Sequence, residues 1–176
     1  VQSKATNPAV QYVYHQTWAY SQHAIHPGFA NYKNDQLAMY EAIAHASKNV
    51  KNIAPITIVV PAGTAIQNAR TSYIGDNFDR DGYHLRLSLG RYVAALTWFE
   101  TLFGQSTVGM QFKPIDVSES EKLVAQHAAH TAAQTPYEIT KLTQFSKSPT
   151  NPKKVTAPIL IDIAGNDHAK PWNPIF

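Results

Sequence analysis

Two apolar, β-branched segments flank one amphipathic helix in the first 60 residues. Residues 10–14 (Val-Gln-Tyr-Val-Tyr) read as a strand. Residues 56–60 (Ile-Thr-Ile-Val-Val) form an apolar run ending at Pro61, the pattern of a strand buried on both faces. Between them Asn34 or Asp35 can cap a helix on which Leu37, Tyr40, Ile43, Ala44 and Ser47 share one face. Strand, helix, strand is the βαβ unit of a parallel sheet, with a right-handed crossover. Apolar parallel strands need helices over both faces and neighbours on both edges, and two strands cannot provide that. The expectation is an upstream segment or another subunit against residues 10–14, or else a visibly exposed apolar sheet.

The remaining pattern is helical. Residues 63–70 read as a short helix. Residues 72–83, with Gly75, Gly82 and many Asp, read as a loop. A long helix is expected from Leu85 to about Phe103, with Leu89, Tyr92, Val93, Leu96, Phe99 and Phe103 as its apolar stripe and Gly104 as its stop. Ser118 and Glu121 form a capping-box pattern for a helix to about Ala133. Residues 137–145 are helical or irregular. The expected organisation is residues 1–145 as one α/β unit, 146–154 as a linker, and 155–176 as the start of a β-domain or a tail.

Composition removes several function classes. The chain has no cysteine, so disulfides, thiolate metal sites and a cysteine nucleophile are excluded. That absence fits a periplasmic or secreted protein and a cytosolic one equally. Its net charge of +3 is scattered without a basic stripe, so no nucleic-acid partner is expected. No apolar run approaches the roughly 20 residues of a membrane span, and no signal peptide is visible. The start at Val1 rather than Met suggests a piece of something longer.

Asp81-Gly82-Tyr83-His84, just before the expected long helix, is the strongest local signal for chemistry. A carboxylate three residues before a histidine can reach back to one imidazole nitrogen, fixing the tautomer. The other nitrogen is then free to take a proton from a hydroxyl nucleophile. The bland alternative is an exposed capped loop. His15, Gln16 and Trp18 directly follow the first strand, where open α/β sheets place their ligand crevice; they are substrate-side candidates, with Trp18 and Tyr20 as loop core the alternative. Thr64, Gln67, Asn68 and Arg70 follow the second strand, and for them structural hydrogen bonding weighs more. His23-x-x-His26 and His127-x-x-His130 lack a completing carboxylate, so no metal is expected.

Three blocks occur in order: residues 15–20 (His-Gln-Thr-Trp-Ala-Tyr), residues 61–70 (Pro-Ala-Gly-Thr-Ala-Ile-Gln-Asn-Ala-Arg), and residues 81–85 followed by Gly90-Arg91-Tyr92. Together, over residues 10–140, they resemble the later half of a bacterial SGNH (GDSL-like) hydrolase family of unknown specific function, common in gut Bacteroidetes. The resemblance implies a three-layer α/β/α parallel sheet lacking its N-terminal strands, and a Ser-His-Asp triad with His84 as general base and Asp81 as its orienter. It further implies an esterase acting on a small-molecule or carbohydrate ester, such as an O-acetyl group, with no cofactor, and a periplasmic or secreted setting. The family's nucleophile lies in a Gly-Asn-Ser or Gly-Asp-Ser block, and none of the ten serines here stands in one. The nucleophile is therefore expected in an N-terminal segment outside this chain, and the chain alone is expected to be inactive. Gly165-Asn166-Asp167 lies on the wrong side of His84 to serve as the family's Asn block. The competing class is a non-catalytic carbohydrate-binding or assembly module, with Trp18, Tyr20, Tyr83 and Trp172 as stacking platforms.

Overall fold

Asp35 starts the crossover helix by accepting the Ala38 N–H at 2.8 Å. In the computed structural model, residues 6–149 are described. They run β1 (Tyr12–His15), α1 (Gln36–Ile53), β2 (Ile56–Val60), α2 (Ala62–Arg70), α3 (Leu89–Phe103) and α4 (Glu119–Gln134). Short 3-10 turns occupy Pro27–Tyr32 and Thr143–Phe145. β1 and β2 pair in parallel, with Val13 opposite Ile58 and His15 opposite Val60. The described residues therefore form an α/β unit built on a two-stranded parallel sheet.

Two sequence expectations about that sheet need correction. All four residues of β1 are half-buried, and in β2 only Val59 and Val60 are buried while Thr57 is exposed. β2, which α1 and α3 both reach, is covered on both faces only at its end, at Val59 and Val60, while β1 is half-buried throughout. The described residues accordingly do not form a three-layer sheet. The partly exposed sheet is one of the outcomes that a two-stranded unit implies.

The main core lies among the helices. Ile66 of α2, Leu89 and Val93 of α3, and Val124 of α4 close around Phe78 and Leu142. Ala125, Ala128, Ala129 and Ala132 of α4 are all fully buried. Their small side chains let α4 approach α2 and α3 closely. A second cluster joins Ala19, Phe29, Tyr40 and Ile43 beneath the segment that leaves β1.

Helix ends follow local chemistry. Ser118 and Glu121 make the reciprocal capping box of α4, and Gly104, at φ 64°, closes α3. α3 begins at Leu89, not at Leu85, because Leu85 bridges Asp79 in a short antiparallel contact and Arg86 N–H donates to the Phe78 carbonyl. Leu37 and Phe103 are exposed, whereas Met39 of α1 is buried. Residues 137–142 are irregular. The expected β-domain start at 155–176 lies outside the described residues, as does the linker beyond residue 149. Among the described residues no helix is long and apolar enough to cross a membrane.

Candidate functional site

The Asp81–His84 turn is shaped by Gly82, whose φ of +90° suits a residue without a side chain. A Cβ there would also sit 3.0 Å from the Ala24 Cα, and the Gly82 carbonyl accepts the Ser21 N–H at 2.8 Å. The turn folds the Asp81 carboxylate back over its own backbone. Oδ1 accepts the His84 N–H at 2.8 Å and the Tyr83 N–H at 3.3 Å, and Oδ2 lies 2.7 Å from His84 Nδ1. The His84 backbone N–H chiefly, then the imidazole contact, the Tyr83 N–H and the His84 charge, outweigh burial and hold the Asp81 carboxyl at about 2. It is thus ionised at neutral pH, and Nδ1 carries the proton donated to it. This contribution is present above the ordinary carboxylate range and is lost as pH falls toward 2. The His84 side chain is 54% exposed, which leaves Nε2 open to a proton donor.

The turn is anchored to the segment that leaves β1. Trp18 Nε1 donates to the Tyr83 carbonyl at 2.8 Å, so the indole positions the backbone one residue before His84. The Tyr83 ring lies 4.4 Å from the His84 ring and packs edge-on against His26. His15 stacks on Trp98 and accepts its indole N–H at 2.7 Å; burial pushes this imidazole down. His15 also meets Trp18 edge to face at 6.0 Å. His15 and Trp18, both half-buried, therefore stand at the carboxyl end of β1, and Trp18 joins directly to the Asp81–His84 turn.

Gln16 does not face solvent. It is fully buried, and its Oε1 accepts from Thr64 N at 2.8 Å and from Thr64 Oγ1 at 3.0 Å. In this structure Gln16 braces α2, a correction to its expected substrate-side place. Thr64, Gln67, Asn68 and Arg70 are buried and hydrogen-bonded too. Asn68, for example, donates to Thr131 Oγ1 and accepts the Thr140 N–H.

Two charged clusters have no local sequence signature. In the first, Arg70 reaches Asp76 through Nε at 2.8 Å and Asp79 through Nη2 at 2.7 Å, and Nη1 donates to the Ala19 carbonyl and Gln67 Oε1. One cation shared by two carboxylates leaves excess negative charge in a buried place. Burial chiefly, with Asp76 and Asp81 adding repulsion, pushes the Asp79 carboxyl up to about 6 against the pull of Arg70. A raised carboxyl favours the protonated folded state, so this contribution falls as pH rises from near 3.8 to about 6. Relative to Asp79→Asn, the natural protein should lose roughly 2–3 kcal/mol of unfolding free energy across that window. Urea denaturation of both proteins at several pH values measures it; a pH-independent difference would contradict it.

In the second cluster, buried Glu100 holds His130 Nδ1 at 2.6 Å through Oε1 and accepts from Thr107 N and Oγ1 through Oε2. Ser106 Oγ lies 3.3 Å from the same Nδ1, while His130 Nε2 meets Gln134. A triad needs acid and hydroxyl on opposite nitrogens, so this set is not one. The adjoining cavity of about 280 Å³ includes no residue of the Asp81–His84 turn. His127 packs on Phe145, and among the described residues no group of three or more histidines and carboxylates could hold a metal ion.

Residues 1–132 match the family model described as a domain of unknown function, DUF4886. The crystal structure of a DUF4886 family protein from Bacteroides uniformis ATCC 8492, at 1.50 Å resolution, is similar in fold, with a TM-score of 0.77 and 45% sequence identity. The match covers 79% of this chain and 54% of that one, so this chain spans about half the length of that protein. No curated protein matches the chain.

Proposed function

The chain belongs to the DUF4886 family, and we propose that it carries the acid–base half of an SGNH/GDSL-type serine esterase. The observation that supports this reading is the Asp81–His84 pair: Oδ2 to Nδ1 at 2.7 Å, with the His84 side chain 54% exposed. An ionised carboxylate on Nδ1 sets the tautomer that lets Nε2 act as a base. The pair also adjoins the carboxyl end of β1, where open α/β sheets take their ligands.

In this reading a serine Oγ attacks the ester carbonyl carbon and its proton passes to His84 Nε2. The same proton then goes to the leaving alcohol oxygen, and the acyl group stays on the serine. Water repeats the sequence, with His84 accepting its proton and returning it to the serine as the acid departs. Among the described residues no serine hydroxyl hydrogen-bonds to His84. The nucleophile is assigned to a part of the longer protein outside this chain, as are the strands that would complete a three-layer α/β/α sheet beside β1. The substrate is the ester of a small alcohol or carbohydrate, an O-acetyl group first, and the reaction requires no cofactor.

The test compares this chain with its full-length protein. The full-length protein should hydrolyse p-nitrophenyl acetate with saturation and be labelled by a fluorophosphonate on a serine outside this chain. This chain alone should do neither. A full-length protein that is neither labelled nor active on acetyl esters would overturn the reading in favour of a non-catalytic module.

A further inference from the structure

We infer that Arg70 is the positioning residue of this site: its guanidinium ties the loop that carries Asp81 and His84 to the segment leaving β1. The loop between α2 and α3 has one isolated bridge, Asp79 to Leu85, as its regular structure, with a few backbone bonds such as Arg80 N–H to the His84 carbonyl, so side-chain contacts carry much of its attachment. Arg70, at the last turn of α2, supplies them in three directions. Nη2 donates to Asp79 of the loop, Nη1 donates to the Ala19 carbonyl beyond β1, and Nε lies 2.8 Å from Asp76 Oδ1 as an ion pair. The Arg70 and Asp79 side chains are 4% and 1% exposed, so this contact joins groups withdrawn from water, while Asp76 stands more open at 25%.

Around this centre the same two segments are joined three more times. Gln22 N–H donates to Asp76 Oδ2 at 2.6 Å, Ser21 N–H to the Gly82 carbonyl at 2.8 Å, and Trp18 Nε1 to the Tyr83 carbonyl at 2.8 Å. The last two bonds land on the residues between Asp81 and His84. A planar guanidinium spans this divergent set with separate nitrogens; an ammonium has three N–H groups, but all leave one atom and cannot reach these partners at once. The consequence is conformational: the tie holds the turn closed so that His84 Nδ1 stays against Asp81.

The tie is a property of the fold, while its effect on turnover rests on the esterase reading. The readout is therefore the His84 tautomer, which reports the Asp81 contact whether or not the protein is an enzyme. In full-length protein with ¹⁵N-labelled histidine, His84→Gln identifies the His84 signals. At about pH 8, above the ordinary histidine range, the natural protein should show Nδ1 protonated and Nε2 bare. Arg70→Lys keeps the charge and loses the fork; Asp76→Ala removes one arm and the clip to Gln22. Both should lose the Nδ1-protonated signature in favour of the Nε2-protonated form while the far-ultraviolet circular dichroism is unchanged. If Arg70→Lys fails to fold, Asp76→Ala decides. Any folded variant of the two that keeps the natural His84 tautomer overturns the proposal. Loss of the signature in a full-length protein without esterase activity would leave the tie standing and remove only the esterase reading.

Discussion

Replacing His84 with alanine in the full-length protein is expected to lower kcat/KM for p-nitrophenyl acetate by about 10³–10⁴-fold. The loss should fall on kcat, because the imidazole moves a proton in the transition state and contributes little to holding the ester beforehand. Asp81→Asn should cost a similar factor by a different route. A carboxylate accepts from Nδ1–H, whereas an amide can turn its NH₂ toward Nδ1 and leave the proton on Nε2, where no base remains. Neither change should unfold the protein, since the side chains are 54% and 39% exposed. His26→Ala is the control: His26 touches Tyr83 but makes no bond to the pair. Its rate should stay within a few-fold of the natural protein. If Asp81→Asn retained natural kcat while His84→Ala lost it, the pair seen at 2.7 Å would not be the working one.

The parts legible in the sequence are those whose physics is local. Asp35, the Ser118–Glu121 box and Gly104 mark helix ends because each satisfies backbone groups within a few residues. The Asp81–His84 contact is legible for the same reason, three residues around Gly82, although the contacts that tie this turn to the β1 exit are not local. The βαβ pairing was legible because α1 buries a periodic stripe. For α2 the structural hydrogen bonding of Thr64, Gln67, Asn68 and Arg70 was legible, but its complete burial and its partners were not. All nine of its residues are buried although Gln67, Asn68 and Arg70 are polar. Their partners come from across the chain: Gln16 reaches Thr64 over 48 residues, Thr140 reaches Asn68 over 72, and Ala19 reaches Arg70 over 51. Apolar periodicity carries no trace of such pairs. The same blindness put Gln16 on the substrate side. Its position just past β1 follows from the strand pattern, but the direction of its side chain is set by Thr64 and the Pro136 carbonyl, which lies 120 residues away. The start of α3 was misplaced for a related reason, since Leu85 is helix-compatible and is diverted by its bridge to Asp79.

The close fit of α2 beneath the exit of β1 yields the largest effect expected on stability. Gly63→Ala should cost about 4 kcal/mol or more, in the range reserved for severe core defects. A methyl group on Gly63 would overlap the Thr17 carbonyl oxygen and lie 2.9 Å from its carbon. Both atoms are backbone, so no rotamer change can relieve the clash. Gln16 Oε1, at 3.2 Å, blocks the nearest alternative. Relief requires α2 and the β1 exit to separate. That would stretch the Gly63 N–H bond to the Gln16 carbonyl, at 3.1 Å, and the Gln16 Oε1 bonds to Thr64. Val60, Ala62, Thr64 and Ala65 are fully buried around this point, so separation would also open space that nothing can fill. Urea midpoints of Gly63→Ala and the natural protein measure the loss, and a difference under about 1 kcal/mol, at the centre of ordinary substitutions, would show that this spacing is not fixed. The damage should also reach the site. Thr17 precedes Trp18, whose indole holds the Tyr83 carbonyl, so a variant that still folds should shift the His84 ring resonances although Gly63 makes no contact with them.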